Sequence, residues 1–97
     1  MMVRGQGKLK GYSVYVYPDG LLPNTYKIVF VKGFQNVRDG GGEAAPAHPT
    51  AIIDVSKEQP TIRWRIAPDD TENISIKDYE EECIRAVEEY RSSKQGE

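Results

Sequence analysis

Only one stretch of this 97-residue chain repeats its apolar residues at the helical period. Ile76, Tyr79, Cys83, Ile84, Ala86, Val87 and Tyr90 fall on one stripe. A lone amphipathic helix has no second helix to bury that stripe against, so a sheet must receive it. Ser75 stands where an N-cap belongs, with Asp78 three positions on, a near relative of the capping box. Acidic residues at 78 and 80–82 open the segment and Arg91 and Lys94 close it, as the helix dipole prefers. Glu81 and Arg85 are placed for an i, i+4 ion pair. The pattern predicts a helix from Ile76 to about residue 93.

The rest of the chain reads at the period of a strand. "GYSVYVY" (11–17) is β-branched or aromatic at nearly every step, and "PDGLLPN" (18–24) ends it with turn residues. "TYKIVFVKG" (25–33) is apolar on both faces, as a central strand is. "TAIIDV" (50–55) and "TIRWRIA" (61–67), joined by "SKEQP", read as a hairpin. The second of these alternates strictly, with Ile62, Trp64 and Ile66 opposite Arg63 and Arg65. The expected fold class is therefore α+β: a four-stranded antiparallel sheet in ββββα order, with one C-terminal amphipathic helix packed on one face. The helix is expected to cover Val14, Val16, Ile28, Phe30, Ile53, Ile62, Trp64 and Ile66.

Length allows one domain, 1–97, with an ordered core over about 9–93. Residues 39–49, rich in Gly, Ala and Pro, read as a flexible connection, and 1–8 and 94–97 as frayed tails. No apolar run approaches the ~20 residues that cross a bilayer, and the first residues lack the apolar stretch of a signal peptide. No membrane association is expected, and the localisation expected is cytoplasmic. A single cysteine, Cys83, fits a reducing compartment.

The motifs that suggest chemistry do not carry it. Lys32-Gly33-Phe34 opens like an RNA-recognition motif, but Asn36 and Asp39 stand where stacking aromatics belong. Gly33 reads instead as a bend at a strand end. The glycines of "DGGGEAAPAHPT" lead into prolines and a strand, whereas a phosphate loop leads into a helix N-terminus. His48 has no companion ligand, and "PDDTEN" (68–73) lacks the spacing of a calcium loop. Cys83 sits on the apolar stripe beside three glutamates, the setting of an inert thiol. No nucleophile–base set is present. The expectation is a non-enzyme, with no catalytic residues, no metal and no cofactor.

Two surfaces remain. If the helix covers one sheet face, the other presents Tyr15, Tyr17, Lys27, Val29, Val31, Arg63 and Arg65. The outer face of the helix presents Glu81, Glu82, Glu88 and Glu89. Charge is divided in the same sense: residues 1–50 carry six Lys/Arg against three Asp/Glu, and 51–97 carry seven against twelve. Tyrosine and arginine are enriched at protein hot spots and also serve single-stranded nucleic acid. A net charge of −2 disfavours nucleic acid, whose affinity comes largely from phosphate neutralisation. The expectation is a binding module, an inhibitor or regulator, that engages a larger protein. A homodimer stays open, and a single-stranded nucleic-acid binder is the alternative.

Overall fold

The computed structural model of the chain describes residues 1–32, 48–68 and 73–95, the side chains of 94 and 95 excepted. Five strands run β1 (Met2–Arg4), β2 (Tyr12–Pro18), β3 (Thr25–Lys32), β4 (Thr50–Asp54) and β5 (Thr61–Ile66). The helix α1 (Ile76–Gln95) follows, and a short 3-10 helix (Gly7–Leu9) lies between β1 and β2. The strands form one antiparallel sheet in chain order, β1-β2-β3-β4-β5. The fold class is α+β, but the sheet has five strands, not four.

The additional strand lies in the segment expected to fray. Met2, Val3 and Arg4 pair with Tyr15, Val14 and Ser13, and the Val16 N–H donates to Met1 C=O at 2.8 Å. Val3 and Leu9 are buried to 6% and 1% exposure, so the segment joins the core. Three residues are too few to show a two-residue period, which is why this strand is silent in the sequence. Gly5 makes the connection possible. A Cβ there would come within 2.1 Å of the Leu9 carbonyl oxygen, so no side chain fits.

Turn chemistry accounts for the β2–β3 and β4–β5 connections. After β2, Asp19 Oδ1 accepts the N–H groups of Leu21 and Leu22 at 2.7 and 2.9 Å, and Asn24 takes a positive φ of 59°. After β4, Asp54 Oδ1 accepts the Ser56 N–H at 2.8 Å. Residues 33–47, which include Gly33, the glycine run and most of the 39–49 connection, lie outside the described residues.

The core-facing residues of the inner strands are sealed: Val14, Val16, Ile28, Phe30, Ala51 and Ile53 have no exposed area. From α1 come Tyr79, Cys83, Ala86 and Val87. Tyr79 is the centre of the packing. Its ring meets Phe30, Tyr12 and Trp64 edge-on at centroid distances of 5.1, 6.1 and 6.1 Å, the arrangement that ring quadrupoles favour. The helix cap is reciprocal. The Ser75 N–H donates to Asp78 Oδ2 at 2.9 Å while the Asp78 N–H donates to Ser75 Oγ at 3.3 Å. These bonds, with the Ser75 backbone N–H foremost, hold the Asp78 carboxyl below its ordinary pKa.

Four apolar expectations need correction. Ile76, the first helical residue, is 48% exposed, and Ile74 just before the cap is buried in its place. Ile66 is also exposed, because the register shifts between Thr50 and Ala51. Thr50 pairs with Ile66 and Ala51 with Trp64, so Arg65 is the extra residue of a bulge. Ile66 thereby stands opposite Thr50 and leaves the core-side alternation. The helix lies against β2, β4 and the 3-10 helix, so Ile62 and Trp64 on β5 are only partly covered. The helix also runs to Gln95, two residues past its expected end.

Candidate functional site

Strand pairing sets out the uncovered sheet face residue by residue. One row runs Met2, Tyr15, Val29, Thr50 across β1 to β4. The next runs Tyr17, Lys27, Ile52, Arg63 across β2 to β5. A third brings Thr25, Asp54 and Thr61 together at the edge of the face. Directly opposed residues in such a ladder share a face and stand close enough to touch.

Tyr15 and Tyr17 stack on one another, ring centroids 6.4 Å apart and planes within 10° of parallel. The Lys27 Nζ lies 5.5 Å from the Tyr17 centroid, a cation–π contact. Tyr17 is nonetheless 44% exposed. Arg63 and Arg65 are exposed, and neither forms an ion pair among the described residues. Beside Arg63 the face dips into a depression of about 390 Å³ lined by Leu22, Ile52, Asp54, Lys57, Thr61 and Arg63, among others. Leu21 and Leu22 at the β2–β3 turn are 93% and 59% exposed.

Of the seven residues expected on this face, Tyr15, Tyr17, Lys27, Val29 and Arg63 come together as the alternation requires. Arg65 is exposed but sits in the bulge, outside the regular rows. Val31 is the exception: only 2% exposed, it offers no contact surface. By register it stands beside Ser13, itself 1% exposed, in the row that Arg4 of β1 extends. The unforeseen fifth strand thus lies at the end of the sheet where Val31 was expected to be open. Val29 is half-buried. Met2, Leu22, Ile52, Lys57 and Thr61 also belong to the face or its depression. Ile52 was legible from the alternation of "TAIIDV", since Ile53 faces the core.

The acidic helix face is smaller than expected. Glu82 is 8% exposed and turned toward the N-terminal segment. Its carboxylate accepts the Gln6 N–H at 3.0 Å and two Arg85 N–H groups at 2.8 and 2.9 Å. Arg85 in turn donates to the Arg4 carbonyl at 2.8 Å and to Glu89. The ion pair expected from Glu81 is replaced by these two, and Glu82 foremost among them raises the Arg85 pKa. Only Glu81, Glu88 and Glu89 remain exposed. A second depression, about 350 Å³, lies at this clamp between Lys8, Asp78, Glu81 and Glu82. There Lys8 Nζ approaches Asp78 at 3.7 Å.

Cys83 is buried, and burial first, then Glu80 and Glu82, pushes its thiol up to about 12. No three His, Cys, Asp or Glu side chains gather to hold a metal ion among the described residues. The acidic stretch 69–72 lies outside them. Among the described residues no helix is long and apolar enough to cross a membrane. Compared with protein-family models, with curated proteins and with solved structures, the chain matches none of them.

Proposed function

We propose that the chain is a small non-catalytic binding module that engages a larger protein through its uncovered sheet face. The observation that carries this reading is the row Tyr17–Lys27–Ile52–Arg63. It places an exposed aromatic, two cations and an aliphatic side chain in one line, beside the exposed Leu22. Tyrosine and arginine around an apolar centre are the composition of protein hot spots.

Single-stranded nucleic acid remains the alternative, since the same face carries aromatics and cations. It is less well supported. The Tyr17 ring is already engaged by Tyr15 and by Lys27, so a base would have to displace a contact that exists. The acidic helix face is also the weaker protein-binding candidate, because Glu82 is occupied by the N-terminal clamp and Glu89 by Arg85.

The test is a comparison of face-specific charge reversals. Protein captured from source-cell extract by the unaltered chain is compared with that captured by Arg63→Glu, Lys27→Glu and Glu88→Lys. All three positions are exposed, so each variant is expected to fold. Loss of one partner on the first two changes and its retention on the third is the expected result. Retention on the first two and loss on Glu88→Lys would move the function to the helix. Capture abolished by nuclease would move it to nucleic acid.

A further inference from the structure

The depression beside Arg63 says more about the partner than the face as a whole does. Its walls combine opposite chemistries. Leu22 and Ile52 are aliphatic, and Lys57 and Arg63 are cationic. Lys27 is paired in register with Ile52, so a third cation borders the same apolar centre. The rim has its own carboxylate, Asp54, but its Oδ1 already accepts the Ser56 N–H at 2.8 Å. Hydrogen bonds from Ser56 hold that carboxyl below its ordinary pKa. The charge of Asp54 is thus directed at its own turn, and the cations around the depression outnumber it.

We infer that the face takes an acidic amphipathic protein segment. An aliphatic side chain of that segment seats between Leu22 and Ile52, and its flanking carboxylates meet Arg63, Lys57 and Lys27. This rests on the reading of the sheet face as the docking surface, and adds the chemistry of what docks. Charge complementarity selects acid over base, because a basic segment would bring like charges together in a partly desolvated site. The exposed leucine and the isoleucine select an amphipathic segment over a purely acidic one. A phosphate backbone would satisfy the cations and leave that apolar pair without a contact. A second copy of the chain is a poorer occupant, since beside its exposed Glu81, Glu88 and Glu89 the aliphatic Ile84 is already half-buried against its own core.

The experiment is an NMR titration of the isotope-labelled full chain with four probes. They are a synthetic glutamate–leucine amphipathic peptide, its lysine–leucine counterpart, polyglutamate and an oligothymidylate. The glutamate–leucine peptide is expected to shift the amides of Ile52, Thr61 and Arg63. Its affinity is expected to fall about tenfold or more on Arg63→Glu and several-fold on Leu22→Ser, and the lysine–leucine peptide is expected to give no saturable binding. Both substituted side chains are exposed, so neither change should disturb the fold.

Equal shifts with both peptides would overturn the acidic occupant while leaving the face in place. Equal binding of polyglutamate would overturn the aliphatic anchor, and tighter binding of oligothymidylate would overturn a protein occupant. Concentration-dependent shifts at these amides without any probe would assign the face to a second copy. Shifts on the helix alone, or none at all, would overturn the inference, and the charge-reversal capture then judges the broader reading separately.

Discussion

Replacing Glu82 by glutamine should loosen the N-terminal strand without touching a single apolar contact. The carboxylate accepts three hydrogen bonds, one from Gln6 and two from Arg85, in a position only 8% exposed. Bonds to a charged acceptor contribute about 1.5–3 kcal/mol each, against about 0.5–1.5 for neutral ones. Glutamine keeps one acceptor oxygen of similar reach and replaces the other with a donor that Arg85 cannot use. One bond lost and two weakened come to about 3.5–5 kcal/mol on these figures, cut to a net loss of about 2 kcal/mol because Arg85 retains Glu89 and the Arg4 carbonyl. In a domain of this size that lowers Tm by roughly 8–16 °C.

Thermal and urea unfolding followed at Trp64, the single tryptophan, measure the loss. Hydrogen exchange locates it: the Gln6 amide should lose its protection first. A double-mutant cycle with Arg85→Met should give a coupling of about 1 kcal/mol or more. A loss below about 0.5 kcal/mol, the range of ordinary surface substitutions, would refute the clamp. So would undiminished protection at Gln6.

Three further outcomes follow from the same packing. Leu9→Ala should destabilise by about 2–5 kcal/mol, the range for a buried leucine, because that residue is 1% exposed in a segment that otherwise reads as a tail; urea unfolding checks it. Cys83, with its thiol pushed up to about 12 by burial and neighbouring glutamates, should stay unmodified by iodoacetamide near pH 8 until the protein unfolds. Mass spectrometry with and without denaturant reads this directly. Asp19, Asp54 and Asp78 are all held below their ordinary pKa, chiefly by hydrogen bonds from Leu22, Ser56 and Ser75. The unfolded chain therefore binds more protons in the acid range. The stability these groups contribute is complete above about pH 4 and falls as pH drops through their folded values. Urea titrations from about pH 6 down to about pH 2 should show that fall, shallower in Asp78→Asn.

The parts of the fold that were legible are those in which local pattern and tertiary demand agree. Strands at 12–18, 25–32, 50–54 and 61–66 and the Ser75-capped helix follow from periodicity and capping chemistry alone. What was not legible depends on contacts between distant segments. β1 has three residues and no period of its own, and exists because Met2–Arg4 pairs with β2 and Leu9 is buried. Glu82 reads as one of a run of surface acids, and only the returning N-terminal segment converts it into a buried acceptor.

The face shows the same division. Tyr15, Tyr17, Lys27 and Arg63 follow from alternation, whereas a bulge displaces Arg65 and Ile66 from it. Strict alternation in "TIRWRIA" gives no hint of that bulge. The bulge and the arginines also hinder edge-to-edge pairing of β5.

The most direct test of the face as the site of function is photo-cross-linking in the source cells, with a benzophenone amino acid in place of Tyr17 and, separately, in place of Glu88. One dominant protein adduct from position 17, absent from position 88 and lost when Arg63→Glu is added, is the expected result. An adduct from position 88 alone, or one from position 17 that consists of nucleic acid, would contradict it.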